Sequence, residues 1–480
     1  MISGLEPASV WKYFSEISAI PRMSGHEEKI IDYLESFANE RGLKFKKDAA
    51  GNVVISKPAR PGKESSPCAV LQSHVDMVCE KNEGTDHDFL NDPLDLFEEN
   101  GFVRASGTSL GADDGMGVGA ALALLDSDDV GHGPLECLFT VDEETGLTGA
   151  NALEEGFVSG RILLNMDSEE EGAVYIGCAG GKTTSIFKSV PERLKSEKQL
   201  SYTVKIDGLR GGHSGLAINS GLGNAIILLA RFLWVLDDKI NFDLAEIRGG
   251  EKHNAIPREA MAEICINEED LPILETKISK YTEIYKNELR KTDEGVKLSL
   301  KKNNECMPVL PEKEKSRLLN LLYSFPHGVF AMSPDIKGLV QTSTNMASVS
   351  VQKDGIQILT SQRSSVESSI HDVSSKVISH ALLADYEYIS KDPYPAWTPD
   401  PDSPLLKKAV AAHEELFGKK PEIKAVHAGL ECGIIGRKYP GMDMISFGPD
   451  VYGAHSPDEK VRIVSVGNFW NFLISIVQKI

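Results

Sequence analysis

At 480 residues, with 41% hydrophobic and 25% charged side chains, the chain has the composition of an ordinary globular protein and is too long for a single core, so two domains are expected. Its 71 acidic residues against 51 basic ones give a formal charge of −20, which excludes nucleic acid and anionic membrane surfaces as main partners because no phosphate-neutralising excess exists. Seven scattered cysteines with no C-x-x-C spacing, and the absence of a signal-like or bilayer-length apolar run, read as a reduced, cytoplasmic protein.

Residues 8–42 place Val10, Phe14 and Ile17, then Ile30, Ile31, Leu34 and Phe37, at helical spacing, with Pro21 and Ser24-Gly25 between the two helices. Strands are expected at 52–57 and 68–73, the second almost wholly apolar until it meets His74-Val75-Asp76. Side chains alternate along an extended segment, so His74 and Asp76 face the same way and Asp76 can accept a hydrogen bond from the imidazole. A carboxylate behind a histidine fixes its tautomer and raises its basicity as a metal ligand. The run SLGADDGMG then sets Asp113 and Asp114 before an apolar helix at 115–126, where Asp113 reads either as a helix cap or as a metal ligand.

Two more apolar strands, 134–141 and 161–166, lead into Glu143-Glu144 and Asp167. Strands that all end in histidine or carboxylate present those ends to one crevice, the place where open α/β sheets gather ligands. The following GCAGGKT resembles a phosphate loop, but Ile176 stands where the pattern requires glycine and a strand-like run follows, so nucleotide binding is excluded.

From 185 to 392 two rounds of strands covered by helices suggest a duplicated layer domain inserted into the first. The first round has strands near 202–206, 243–248 and 259–266 and helices at 222–236 and 271–289. The second has helices at 312–323 and 369–383 and strands at 345–351, 355–362 and 385–390. His213 in GGHSG, Asn254 in HNAIP and Arg363 in TSQRSS flank these strands, each readable as a turn or solvated residue or as a functional group; GGHSG is not a nucleophile elbow. A Pro/Asp-rich crossing at 393–404 returns the chain to the first domain. There a helix at 405–417, strands at 423–426 and 443–447, the loops HAGLECG and GAHSPDE, and an apolar-faced helix at 465–479 follow. The fold class is therefore α/β, a mixed central sheet flanked by helices (1–184 and 393–480) with an inserted, duplicated α+β lid or substrate-binding domain (185–392).

His74, Asp113, Glu144, Asp167 and His455 together offer two imidazoles and three carboxylates, a donor set for zinc or a similar divalent ion without the thiolates of a closed structural site. If Asp113 is shared, each of two metals keeps two private ligands and open positions for water. Glu143 then remains to take a proton from that water and pass it to a leaving amine, which is amide hydrolysis.

In order along the chain, SHVDMV, GADDGMG, DEETG, NMDSEEEG, GGHSG, HNAIPR, HAGLECG and GAHSPDE resemble the aminoacyl-histidine dipeptidases, also called cytosol non-specific dipeptidases (PepD), within the co-catalytic zinc metallopeptidases. The resemblance covers nearly the whole chain. It implies a zinc-exopeptidase-like catalytic domain and hydrolysis of Xaa-His and other dipeptides by a hydroxide between two zinc ions, with cobalt or manganese as substitutes. It implies His74 and Asp167 as private ligands of one ion, Glu144 and His455 of the other, Asp113 as the bridge, Asp76 as the residue orienting His74, and Glu143 as general base. It also implies a cis peptide after Asp113, oxyanion stabilisation by His213, substrate contact by Asn254, capture of the terminal carboxylate by Arg363, and backbone near that carboxylate at Gly429. Asp114 is a departure, since relatives often carry Asn there. The expected partner is a short peptide, with a homodimer left open. The alternatives are another amidase on the same scaffold, an N-acyl-amino-acid deacylase or tripeptidase, or a non-catalytic binding protein.

Overall fold

A computed structural model describes residues 2, 4–352, 355–391 and 394–480, and in it the chain forms two units. The first comprises Met1–Cys178, Trp397–Ala425 and Leu430–Ile480; the second comprises Ala179–Ala396 with Val426–Gly429. Of the boundaries expected from sequence, 184/185 falls inside the strand Gly180–Ser189, and 392/393 lies outside the described residues.

The first unit is built on an eight-stranded mixed sheet. Its middle consists of four neighbouring parallel strands, Leu135–Thr140, Ala69–His74, Ile162–Asn165 and Asp443–Ser446. Every residue of Ala69–His74 is buried, as in a strand covered on both faces, so Ala69-Val70-Leu71 is apolar without alternation and the polar Gln72, Ser73 and His74 are buried as well. Antiparallel strands extend the sheet on both sides: Leu135–Thr140 is joined by Val53–Lys57 and then Lys44–Lys47, and Asp443–Ser446 by Ala173–Cys178. The helix Ala112–Asp126 is buried nearly all round, between the strand Ala69–His74 and the helix Ala8–Ser18. Gly119 permits that approach, because a side chain there would come within 3.2 Å of the Val10 carbonyl.

A four-stranded sheet absent from the sequence reading joins Leu96–Glu99 and Phe102–Ala105 to Lys460–Arg462 and Val451–Tyr452. Its hairpin turns at Asn100-Gly101, both at positive φ (52° and 81°), and the sheet braces the chain on either side of His455.

In the second unit two βαββαβ rounds share one nine-stranded sheet, whose ninth strand, Gly328–Met332, lies outside the pattern and pairs with Val340–Gln352. One round runs through strand Leu200–Asp207, helix Ala225–Asp237, strands Asp243–Gly249 and Ala260–Ile266, helix Leu271–Glu288 and strand Lys297–Lys302. The other starts with strand Gly180–Ser189 and resumes with helix Glu312–Ser324, strands Val340–Gln352 and Gly355–Ser364, helix Glu367–Leu383 and strand Glu387–Ser390. Both place their strands in the spatial order fourth, first, third, second, and they join antiparallel through their second strands at Arg248↔Ser350 and Gly249↔Val349. The rounds are therefore nested: the whole of the first is inserted after the opening strand of the second. Leu229, Phe232 and Leu233 of the helix Ala225–Asp237 belong to the core over this sheet, with Val204, Phe242 and Ile264. Asn224 caps that helix by accepting from the Ile226 and Ile227 N–H groups.

All seven cysteines are free thiols. Among the described residues no helix is long and apolar enough to cross a membrane.

Candidate metal centre and substrate-binding residues

Three of the parallel strands end side by side, and their ends deliver His74, the Glu143-Glu144 pair and Asp167. His74 is the last residue of its strand and is 1% exposed; its Nε2 lies 3.0 Å from Asp113 Oδ1 and 3.4 Å from Asp167 Oδ1. His455 Nε2 lies 3.1 Å from both Asp113 Oδ2 and Glu144 Oε2. Each oxygen of Asp113 thus faces a different histidine, and each histidine has a carboxylate of its own.

The local backbone explains why Asp113 is available. Gly111 takes a left-handed conformation (φ 65°), the Asp113–Asp114 peptide is cis, and neither aspartate has helical dihedral angles. The helix therefore begins after Asp114, whose Oδ1 accepts the Gly117 N–H at 3.1 Å. Asp114 does the capping, and Asp113 is left to face the histidines.

Asp76 organises a second group of contacts. Its carboxylate is fully buried, stands 3.4 Å from His74 Nδ1, and accepts from Ser24 Oγ (2.8 Å) and from the backbone N–H of Glu143 (3.0 Å) and Glu144 (3.2 Å). One side chain therefore holds the first turn of the short helix Glu143–Gly146 by hydrogen bonds and faces the His74 ring as its ion-pair neighbour.

The charges respond accordingly. Hydrogen bonds to Asp113 and Glu144 raise His455 to about 11, against its burial. Burial opposes a proton on His74, yet Asp167, Asp113 and Asp76 hold it well above its ordinary value. Burial would raise Asp76, but His74 and its N–H donors bring it down to about 2. Burial, with Glu431, Glu144 and Asp113 nearby, pushes Glu143 up to about 8. Asp114 rises to about 8, from burial and the neighbouring Asp113 charge, so at neutral pH it adds less negative charge than its identity suggests.

The donor set fits divalent cations. It has two imidazole nitrogens and three carboxylates; Nδ1/Nε2 or carboxylate atoms of His74, Asp113 and Glu144 all lie within 4.8 Å of one another; and Glu144 Oε1 is buried without a hydrogen-bond partner. Imidazole nitrogens and carboxylate oxygens at these distances mark a place where positive charge is favoured.

Three buried charged residues around the centre are not singled out by sequence. Arg22 donates to Val75, Asp76 and Gly111 carbonyls, Glu431 accepts from Gln72 (2.5 Å) and Thr140 (2.7 Å), and Glu459 accepts from the backbone of 110–113. Glu431 and Glu459 do lie within quoted motifs, but a charged loop residue gives no local sign that it is buried.

The second unit gathers His213, Asn254, Arg363 and Gly429. His213 pairs with Ala255 in a short ribbon, and the Ser214 N–H donates to the Asn254 carbonyl at 2.8 Å. Arg363 is 6% exposed and donates to Tyr394 Oη at 2.8 Å. Any side chain at Gly429 would meet the Tyr394 ring at 2.8 Å, and one at Gly215 would meet Arg363 at 3.2 Å. His213 Nδ1 accepts the N–H groups of Gly215 (3.2 Å) and Leu216 (3.1 Å), so the ring's proton is on Nε2. Burial and the Arg363 and His253 charges lower His213 to about 4. A cavity of about 1090 Å³ is lined by His213 and Asn254 and by the cations Lys205, Arg210, Arg248 and Arg258.

Comparison with known proteins identifies the family. The chain is 40% identical over 479 residues to the cytosol non-specific dipeptidase of Escherichia coli strain K12, covering 100% of this chain and 99% of that protein. The crystal structure of an aminoacylhistidine dipeptidase from Vibrio alginolyticus matches with a TM-score of 0.93 at 40% identity, over 100% of this chain and 98% of that one. Aminopeptidase PepT from Bacillus cereus shares the fold, with a TM-score of 0.57 at 15% identity over 99% of each chain. Residues 70–479 match the Peptidase family M20/M25/M40 profile, so this chain belongs to that family and is a hydrolase of peptide bonds.

Proposed function

We propose that the protein is a metal-dependent dipeptidase in which His74 and Asp167 hold one divalent cation, Glu144 and His455 hold a second, and Asp113 is shared. The observation that carries this reading is the division of Asp113, with Oδ1 at 3.0 Å from His74 and Oδ2 at 3.1 Å from His455. Zinc suits this set of imidazole and carboxylate donors, with cobalt or manganese as substitutes. When bound, such a pair supplies Lewis acidity toward the scissile carbonyl and acidifies water at neutral pH.

The chain's own residues do the rest. Asp76 keeps His74 in the tautomer that presents Nε2 to the centre. Glu143 is tethered through its own N–H; its carboxyl, raised by burial and neighbouring acids, would be ionised by cations held beside it, and it then accepts a proton from the attacking water and returns it to the leaving amine nitrogen. His213 is neutral at pH 7, and its Nε2–H is suited to the oxyanion that develops on the substrate carbonyl. The Arg363 guanidinium takes the dipeptide's terminal carboxylate, Asn254 makes a further substrate contact, and Gly429 offers backbone where the Tyr394 ring leaves no room for a side chain.

Support for dipeptides as substrates comes from the full-length Escherichia coli relative, and for Xaa-His dipeptides among them from the Vibrio enzyme. The same relative supports a cytosolic setting. The test is metal analysis coupled to a substrate panel. Chelated protein reloaded with Zn²⁺, Co²⁺ or Mn²⁺ is expected to hold two ions per chain and to cleave Xaa-His and other free dipeptides. Turnover only of N-acetylated or lengthened substrates would instead assign a deacylase or a tripeptidase. Full activity without any metal would overturn the reading.

A further inference from the structure

The turn that carries Asp113 is held by little of its own making. The carboxylate of Glu459, 2% exposed, accepts four consecutive backbone N–H groups: Leu110 at 2.7 Å and Gly111 at 2.8 Å on Oε2, Ala112 at 2.8 Å and Asp113 at 3.3 Å on Oε1. On the carbonyl side stands Arg22, 1% exposed, with Nη2 donating to the Gly111 oxygen at 2.5 Å and Nη1 to those of Val75 and Asp76 at 3.0 Å. A buried anion gathers the turn's donors while a buried cation takes one of its acceptors. A side chain at Gly111 would run into Arg22 at 2.5 Å, so the left-handed glycine is required by this packing as well as by its φ of 65°.

The two charged residues tie this turn to different ligands. Arg22 connects it to the backbone just beyond His74. Glu459 connects it to the loop of His455, four residues earlier, which is closed by a Glu459 N–H to Ser456 carbonyl bond of 3.1 Å. The two histidines differ in their other supports. His74 ends a fully buried strand, whereas the His455 side chain is 52% exposed and sits at φ 62° in a loop.

We propose that Glu459 is a positioning residue of the metal centre, setting the Asp113 turn against the His455 loop so that the His455/Glu144 position depends on it more than the His74/Asp167 position does. The proposal rests on the two-cation reading above. It treats the carboxylate as the shared anchor of two ligand segments that have no other direct bond between their backbones among the described residues. Residues that hold ligands from behind typically change metal affinity by about 10–100-fold when altered.

The test is titration of chelated, full-length protein with Co²⁺, followed by calorimetry and visible absorption, in the wild type, Glu459→Gln and Asp458→Asn. Asp458 is a neighbouring carboxylate whose side chain is 90% exposed, so its replacement controls for a change of loop charge. The wild type and Asp458→Asn are expected to bind two ions alike. Glu459→Gln is expected to keep one ion at wild-type affinity and to bind the second at least about tenfold more weakly, with kcat restored at high Co²⁺ and KM for dipeptide unchanged. If Glu459→Gln does not fold, Glu459→Asp takes its place, one carbon too short to serve both pairs of N–H groups. Two sites of wild-type affinity in a folded variant would overturn the proposal alone, as would failure of both variants to fold, which makes Glu459 a residue of the fold. A wild type that binds no pair of ions would overturn the two-cation reading and this proposal with it.

Discussion

The same side chain is put to opposite use in the two units. In the first, His74 and His455 are enclosed by carboxylates, which hold both imidazoles above their ordinary range. In the second, burial and the Arg363 guanidinium depress His213 to about 4 and His427 to about 3. An imidazole that attracts a proton this strongly is one whose surroundings favour a cation. An imidazole that refuses one is a neutral hydrogen-bonding group. On the function proposed above, the first kind of imidazole suits a metal donor, and the second, at His213, suits a neutral hydrogen-bond donor.

The contrast is broken most severely at Glu143. Glu143→Gln removes the proton carrier but none of the five donors, so kcat should fall by about 10²–10⁴-fold while two ions remain bound. Metal content and steady-state kinetics on the same sample check this, and loss of metal in parallel with activity would move Glu143 into the donor set. In the second unit Arg363→Ala should act on binding. Removing a charge-assisted hydrogen bond costs about 1.5–3 kcal/mol, or roughly 10–150-fold in KM for dipeptides with a free carboxylate. Dipeptide amides should be spared. Equal losses for both substrates would contradict the carboxylate role.

How much of this was legible depends on how far apart the partners lie. The ligand-bearing strands are visible because each is a buried apolar run that ends abruptly in His, Glu or Asp, and parallel neighbours bring such ends together. The edge strands Lys44–Lys47 and Lys297–Lys302 are not, since KFKK and KLSLKK read as solvated charge. The strand Gly180–Ser189 alternates clearly, but nothing local says that it pairs with Gly355–Ser364 or that its helix follows only after an entire second round. The hairpin Leu96–Glu99 to Phe102–Ala105 carried a readable Asn100-Gly101 turn signal that went unused. Arg22, Glu431 and Glu459 were beyond reach for another reason. Whether a charge is buried is decided by partners 53 to 359 residues away, such as Val75 for Arg22 and Gln72 for Glu431.

A milder perturbation sharpens the comparison through pH. The unfolded chain protonates histidine near 6.5, whereas folded His213 and His427 wait until about 4 and about 3. Between these values the unfolded state binds more protons than the folded one. Their contribution to stability is therefore complete above pH 6.5 and is lost as the pH falls through 4 and 3. In protein labelled with ¹³C-histidine both rings should keep neutral chemical shifts at pH 5. Titration of either near 6.5 would show that the second unit does not exclude protons as described.

The smallest effect is expected at Asp114. Burial and the adjacent Asp113 charge raise its carboxyl, which favours the neutral form, and an amide is the nearest substitute in shape. The bond it makes survives the change, because an amide oxygen can accept the Gly117 N–H as Oδ1 does now. Asp114→Asn should therefore leave kcat/KM at pH 7 within about twofold of wild type, as steady-state kinetics on metal-loaded protein would show. A large loss at pH 7 would show that a negative charge at residue 114, and not only its bond to the Gly117 N–H, is needed in the working protein.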